Sequence, residues 1–464
     1  MNLDVVILAA GKGTRMRSQQ AKVLHRLAGR PLLQHVVDTA NELKPDHIAI
    51  VVGHQAAEVQ AAIGEQPVWV LQQEQLGTGH AVKLALTQLS GEGTVLVLYG
   101  DVPLVCSETL QRSVAAADAG KVGLVTAHFA DPAELGRIVR DEQNRIVRIV
   151  EFKDADQRER GIDEINSGIV AVPATHLKNW LGQLQTDNAQ AEYYLTDIIA
   201  MAVADGVEVE GIVAGRAEEV TGVNDRSQLA ALERIYQRRQ AARLMDEGVS
   251  IADPERLDIR GHVQAGQDCF LDINVILEGD VILGTGVHIG AGVVIADSQL
   301  GDGVRVYPHT VIDGAVIANN CSLGPFARIR PGTRLEDGVK IGNFVETKMA
   351  HLGAGSKASH LTYLGDATLG AGCNIGAGTV TCNYDGVNKH TTVIGDGVFV
   401  GTNTTLVAPI EIEDNAFIAA GSTVTTKVAT GELAVGRARQ RNIKGWVRPD
   451  QRASTDKGQK RGKT

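Results

Sequence analysis

Residues able to do chemistry gather in two parts of the sequence. Near the start, the apolar run Val5-Val6-Ile7-Leu8 leads into Ala9-Ala10-Gly11-Lys12-Gly13-Thr14-Arg15-Met16, and Lys22 follows. Glycines let backbone N–H groups approach phosphate oxygens closely. Arg15 and Lys22 would add positive charge beside such phosphates. A Gly-x-Gly by itself is only a strand-to-helix turn. It lacks the third glycine of the dinucleotide fingerprint and is not a Walker A loop. Asp101 follows the run 95–99 at the end of a predicted strand, where open sheets place ligands; a lone Asp there is also ordinary turn or cap chemistry. Far downstream, residues 345–364 carry Lys348, His351, Lys357, His360 and Tyr363, and residues 381–390 are polar and turn-rich. The chain has 13 histidines, so any one of them is more often structural than catalytic. Asn383-Tyr384 and Asp385-Gly386 could be turn chemistry alone.

These groups need elements to hold them. A chain of 464 residues is long enough for two or three domains, and 44% apolar residues suffice for full cores. Aromatics at 4% and 52 glycines disfavour an aromatic-rich sandwich and point to many tight turns. Residues 1–226 alternate strand and helix signals: apolar runs at 5–8, 48–52, 68–71 and 95–98, with helical patterns between them such as 79–89. That alternation predicts a mostly parallel, doubly wound α/β sheet. Residues 227–247 are charged, with Leu229, Leu232, Tyr236 and Leu244 at helical spacing. They predict one long helix, with Ser227 able to cap its start and Gly248 to end it. It is either an arm between domains or the last helix of the first.

From about residue 250 the sequence repeats. Ile317, Leu323, Ile329, Leu335 and Ile341 fall six apart, as do Ile394, Val400, Leu406, Ile412, Ile418 and Val424. Six residues turn an α-helix by roughly 600°, far from whole turns, and a flat strand needs alternation by two. Short strands joined by sharp corners satisfy the period, and three such units close one coil of a parallel β-helix. Between Ile375 and Ile394 the spacing is 19, so the segment between them is predicted to leave the coil as a loop. Solenoids tend to carry binding residues on such excursions.

The repeat resembles the left-handed β-helix of hexapeptide acyltransferases, and that hand comes from the resemblance, not from the period. Taken further, LAAGKGTRM with Lys22 resembles the signature of sugar-1-phosphate nucleotidyltransferases. Matching pieces follow in order: Gln72-x-x-Gln75-Leu76-Gly77-Thr78-Gly79, Tyr99-Gly100-Asp101, Gly136-Arg137-Ile138, Ile149-Val150-Glu151, Ile165-Asn166-Ser167-Gly168 and Gly222-Val223-Asn224-Asp225. The strings around His360, Asn374 and Asn383 resemble the acetyltransferase half of the same bifunctional N-acetylglucosamine-1-phosphate uridylyltransferase / glucosamine-1-phosphate N-acetyltransferase family. The resemblance covers the chain from Asn2 to about Trp446.

That resemblance implies an α/β Rossmann-like nucleotidyltransferase domain at 1–226, a linker helix at 227–247 and a hexapeptide-repeat acetyltransferase domain at 248–446; residues 447–464 read from their charge as a basic, disordered tail. In the first domain, Leu8, Ala9, Ala10, Gly11, Tyr99 and Gly100 would surround UTP or its product, with Arg15 and Lys22 catalytic. Gln72, Gly77 and Thr78 would hold the uracil, Gly136, Glu151 and Asn166 the sugar, and Asp101 and Asn224 Mg²⁺. In the second, His360 would be the general base, and Arg330 and Lys348 would grip the sugar phosphate. Tyr363 and Asn374 would contact the sugar, with Lys389 a further candidate and Glu346 orienting the site. Ala377, Asn383, Tyr384, Thr402, Ala420 and Arg437 would line the acetyl-CoA site. Thr402 stands where the family pattern has Ser; the hydroxyl survives with an added methyl. The implied reaction takes glucosamine-1-phosphate, acetyl-CoA and UTP to UDP-N-acetylglucosamine, CoA and pyrophosphate. The product would feed peptidoglycan and lipopolysaccharide, and the assembly implied is a homotrimer.

A narrower reading keeps only the nucleotidyltransferase and makes the β-helix a trimerisation or regulatory domain. A non-enzymatic reading makes the chain a scaffold that senses nucleotide sugars. A net charge of −10 argues against nucleic acid as a partner. The five scattered cysteines read as reduced thiols of a cytoplasmic protein. No apolar run nears the roughly 20 residues a bilayer needs, and the N-terminus does not read as a signal peptide.

Overall fold

A computed structural model describes residues 2–53 and 55–451; of the predicted tail at 447–464, residues 452–464 lie outside the described residues. The chain divides into two compact units, residues 1–282 with 294–296, and residues 283–293 with 297 onward.

The first unit is built on one twisted sheet. Its strands are β1 (Leu3–Ala9), β2 (His47–Val52), β3 (Val68–Leu71), β4 (Thr94–Tyr99), β5 (Val122–His128), β6 (Arg137–Arg140), β7 (Ile146–Val150), β8 (Glu164–Pro173) and β9 (Val209–Val213). The spatial order is β9-β5-β8-β4-β1-β2-β3, and the hairpin β6–β7 joins at β8. Val5, Val6 and Ile7 of β1 are all fully buried, because helices cover both faces of a doubly wound sheet and leave no polar side. The pairs β1–β2, β1–β4, β2–β3 and β5–β9 are parallel. The one reversal in that order is β8, antiparallel to both β4 and β5. The apolar runs named from the sequence account for β1 to β4; β5, the hairpin, β8 and β9 are strands beyond that reading.

The helix predicted over 79–89 spans Thr78–Leu86. The long helix spans Arg226–Asp246. Its cap is Asp225, whose carboxylate accepts from the Gln228 N–H at 2.9 Å, and not Ser227, which already lies in the first turn. Gly248 follows the helix in the left-handed region, φ 98°, with its N–H on the Met245 carbonyl at 3.0 Å. Leu232 packs with Met16, Leu27, Leu32, Leu104 and Val223. Buried Gln237 bonds the N–H and the carbonyl of Ile259, at 2.7 and 2.9 Å. All these partners belong to the first unit.

The second unit is a parallel β-helix of two- to seven-residue strands. One inward column runs Val306, Leu323, Ile341, Ala358, Ile375, Val400 and Ile418, each paired in register with the next. Most coils therefore take 17 or 18 residues, close to three hexads. Leu323, Ile329 and Leu335, one per side of a coil, are all essentially buried, each worth about 1.5–3 kcal/mol of burial. The coil from Ile375 to Val400 takes 25. Its extra residues form the predicted loop, closed by an antiparallel bridge between Tyr384 and Lys389.

Candidate functional site

In the first unit a cavity of about 340 Å³ opens behind the glycine loop. Leu8, Ala9, Ala10 and Gly11 line one side, Gln72, Gly77 and Thr78 another, and Lys22, Tyr99 and Asp101 the floor. Three strand ends bring these segments together. Gly13 has φ 59°, and a Cβ there would lie 2.6 Å from Lys22 Cβ, so the glycine lets the loop fold onto the lysine stem. Gln72 Nε2 donates to the Gly77 carbonyl at 3.1 Å. Gly100 lies behind the cavity, its N–H on the Leu8 carbonyl at 2.9 Å. Arg15 is exposed on the short helix Thr14–Met16 and does not line the cavity.

Asp101 and Asn224 converge. The Val223 N–H donates to the Asp101 carbonyl at 2.9 Å, which sets the two segments side by side. Lys22 Nζ then bonds both side chains, Asp101 Oδ2 in a very short contact and Asn224 Oδ1 at 3.3 Å. Two hard oxygen donors thus face one cationic group. That donor set fits part of the shell of a hard divalent ion, with phosphates and waters supplying the rest.

Gly136, Glu151 and Asn166 form a second cluster. The Asn166 N–H donates to the Gly136 carbonyl at 2.9 Å. The Thr196 hydroxyl donates to Glu151 Oε1 at 3.2 Å. Burial raises the Glu151 pKa, the Asp154 and Asp197 carboxylates raise it further, and the Thr196 bond opposes them. Tyr99 lines both regions. Burial, then Glu151 and Asp101, push its pKa up, so it remains a phenol able to donate.

In the second unit, His360 ends the strand Lys357–His360. Its Nδ1 lies 2.6 Å from Asn343 Oδ1, its register partner one coil earlier. An amide oxygen accepts, so Nδ1 carries the proton and the Nε2 lone pair is left for a substrate. Arg330 pairs with Glu346 at 2.8 Å. Lys348 lowers the pKa of Lys389 through like-charge repulsion, while Asp366 and Tyr363 oppose it; two neighbouring ammoniums make an anion site. Asn383 Nδ2 donates to Asp366 in a very short contact. On the loop, the Tyr384 hydroxyl donates to the Gly386 carbonyl at 2.5 Å. Asn374 stands beside Lys357 in the next coil. Ala377, Thr402 and Ala420 stack on one corner, linked by Asn403 N–H to Ala377 and Gly421 N–H to Thr402, both 2.7 Å. Arg437 continues the column with its guanidinium on the Ala420 carbonyl.

Several participants went unassigned in the sequence. Asn343 holds His360, and Asp366 holds Asn383. Gln75, whose Nε2 donates to the Ala10 carbonyl at 2.6 Å, lines the cavity with Glu192. Gln228 fixes the Asn224 N–H at 2.7 Å. A coil length of 17, once known, points from His360 straight to Asn343; nothing comparable points to Glu192.

Comparison with known proteins gives matches over the whole chain. Residues 5–249 match the MobA-like NTP transferase domain, residues 259–350 the GMPPB C-terminal domain, and residues 391–426 the six-repeat bacterial transferase hexapeptide. The bifunctional protein GlmU of Alkalilimnicola ehrlichii is 55% identical over 98% of this chain and 98% of its own. Those of Marinobacter nauticus and Pseudomonas putida are 55% and 54% identical, over 96% and 97% of this chain and 99% of each relative. Among solved structures, a UDP-glucose pyrophosphorylase complexed with UDP-glucose aligns at 16% identity and a TM-score of 0.42, over 52% of this chain and 100% of its own.

Proposed function

The chain belongs to the bifunctional GlmU family, and from that premise we propose how its residues divide two reactions. The enzyme transfers acetyl from acetyl-CoA to glucosamine-1-phosphate and then uridylyl from UTP to N-acetylglucosamine-1-phosphate. The products are UDP-N-acetylglucosamine, CoA and pyrophosphate. We assign uridylyl transfer to residues 1–226 and acetyl transfer to 248–446, with 227–247 as the helix between them.

For acetyl transfer, Arg330, Lys348 and Lys389 hold the sugar phosphate, and Tyr363 and Asn374 the sugar. His360 Nε2 takes a proton from the amine as its nitrogen bonds the thioester carbonyl carbon. The C–S bond then breaks and the CoA sulfur leaves with a proton. The corner column Ala377, Thr402, Ala420 and Arg437, with Asn383 and Tyr384, lies along the donor. The observation that carries the two-activity reading is the Asn343–His360 pair, which orients a ring nitrogen outward on the same coils that hold the neighbouring Lys348 and Lys389. A β-helix serving only to assemble subunits has no use for an oriented base and a pair of neighbouring ammoniums.

For uridylyl transfer, the oxygen of the sugar phosphate attacks the α-phosphorus of UTP. Three anionic centres crowd together, so placement and charge neutralisation do the work. The loop Ala10–Gly11 and Lys22 face the phosphates, and Gln72, Gly77 and Thr78 face the base. Gly136, Glu151 and Asn166 hold the sugar. Mg²⁺ at Asp101 and Asn224 would neutralise charge on the phosphates, and Lys22 would then turn to the leaving pyrophosphate. Arg15 reaches the site only if its helix or side chain moves inward.

We place the enzyme in the cytoplasm, with its substrates, as a homotrimer. On one corner of the coils His309, Phe326 and Phe344 stack at 5.1 and 5.6 Å. Both phenylalanines are about half exposed and have positive φ, so an uncovered strained apolar ladder suits a subunit contact. Among the described residues no helix is long and apolar enough to cross a membrane.

The test is mass spectrometry of products from glucosamine-1-phosphate, acetyl-CoA, UTP and Mg²⁺, with wild type and His360→Ala side by side. Wild type yields UDP-N-acetylglucosamine; the variant yields it only from pre-acetylated sugar phosphate. Should wild type also require the pre-acetylated substrate, the β-helix is structural and the narrower reading stands.

A further inference from the structure

We propose that Arg137 is the positioning residue of the sugar side of the first site: its buried guanidinium fastens residues 131–135 and so sets Gly136 against Glu151. The inference rests on the reading of Gly136, Glu151 and Asn166 as the sugar subsite.

Arg137 is 2% exposed. A buried cation is normally paired with a carboxylate, because desolvating the charge is costly. Among the described residues Arg137 forms no ion pair within 4 Å, the Asp131 carboxylate acting on it only from a distance, and its Nε has no hydrogen-bond partner. Its terminal nitrogens turn instead to main-chain carbonyls. Nη1 donates to Leu135 in a very short contact and reaches Pro132 at 3.5 Å. Nη2 donates to Ala133 at 2.9 Å and reaches Arg160 at 3.5 Å. The Phe152 ring covers the guanidinium at 5.6 Å and carries Arg160 over it at 4.7 Å, both within cation–π range.

The fastened segment has little else to hold it. Residues 131–135 are exposed apart from a half-covered Pro132, and Ala133 sits at φ 44°, a conformation that costs an alanine energy. Its internal bonds are local, Leu135 N–H to Pro132 at 3.1 Å and Ala133 N–H to Asp131 Oδ1 at 3.1 Å. Gly136 comes next. Its carbonyl takes the Asn166 N–H, and a Cβ on it would sit 3.4 Å from Glu151 Oε2. Release of the guanidinium therefore frees the chain on one side of Gly136 while Asn166 holds the other. The nucleotide cavity is lined by other residues, so the effect should fall on one substrate.

The experiment is steady-state uridylyl transfer by Arg137→Met and Arg137→Lys, varying the sugar phosphate and UTP separately, with thermal unfolding in parallel. In Arg137→Met the KM for N-acetylglucosamine-1-phosphate should rise about tenfold, with UTP KM and kcat changed by less than about threefold. Arg137→Lys should recover part of the loss, because an ammonium can still donate to the loop carbonyls. An unchanged sugar KM in folded Arg137→Met, or parallel rises in both KM values, overturns the proposal. If Arg137→Met does not fold, Phe152→Leu, which uncovers the guanidinium, must show the same split or the proposal falls. Glu151→Gln separates the two layers. If it leaves the sugar KM unchanged, the subsite itself is misplaced. If it raises that KM and Arg137→Met does not, only the fastening is wrong.

Discussion

The two sites are assembled by different rules. In the first unit the residues facing one cavity come from positions as far apart as Leu8 and Glu192, and Asn224 reaches the lining Lys22 from further on still. Sheet order brings them together: β4, β1, β2 and β3 follow one another in space, and the segments after β1, β3 and β4 line the same cavity. In the second unit neighbours are one coil apart. Asn343 meets His360, and Glu346 meets Tyr363, because each partner lies 17 residues on. A sheet site thus depends on the whole topology, whereas a solenoid site depends on keeping count. Damage should accordingly spread differently in the two units.

The largest expected effect is a clean separation. His360→Ala should lower acetyl transfer about a thousandfold, within the usual span for a lost general base, and leave uridylyl transfer from pre-acetylated substrate unchanged. Asp101→Ala should do the reverse; assays of each half-reaction decide it, and a fall in both from either change would break the comparison. Next, Ile341→Ala removes an inward coil residue that is 1% exposed. It should cost about 2–5 kcal/mol, lower the acetyl-transfer melting point in a heat-inactivation series, and spare the uridylyl half.

Smaller effects probe orientation. Asn343→Ala should reduce acetyl-transfer kcat about tenfold, since His360 loses the acceptor that fixes its tautomer. Asn343→Asp should instead favour the imidazolium and move the acidic limb of the pH–rate profile upward; a profile that does not move removes Asn343 from the mechanism. Smallest is a pH effect in the first unit. The Glu151 pKa is raised by burial, so as pH falls it takes up its proton earlier than an ordinary glutamate. The KM for the sugar phosphate should then climb on acidification by about fivefold, the worth of one hydrogen bond. Glu151→Gln should flatten that slope.

The same contrast explains what could be read from sequence. The hexad spacing of Leu323, Ile329 and Leu335 reports a local rule repeated many times, and all three point inward as predicted. The break between Ile375 and Ile394 is the place where the coil opens. Strand β1 was equally visible, because a strand buried on both faces cannot hide its apolar run. Strand β8 carries a run of the same kind at 169–172, all buried, so its existence is as legible as that of β1; only its reversed direction, set by neighbours β4 and β5, is not. Helical spacing offers Ser227 as a residue able to cap the start, but it is the carboxylate of Asp225 that takes the Gln228 N–H. Arg137 was visible only as a letter in a motif; its burial and its carbonyl partners depend on the hairpin and on Phe152.

One feature of the coils bears on how such a protein can change. Ile375 and Val400 stay in register although 25 residues separate them, so the stack above and below does not register the length of the excursion between them. Lengthening a surface loop costs little, because closure entropy grows only slowly with length. The segment carrying Asn383 and Tyr384 can therefore be lengthened, shortened or rewritten without repacking a core residue. With Asn383 and Tyr384 along the acyl donor as proposed, a lineage could retune that grip there while the spine of aliphatic residues is inherited intact, which makes this corner the cheapest place in the second unit for new specificity to begin.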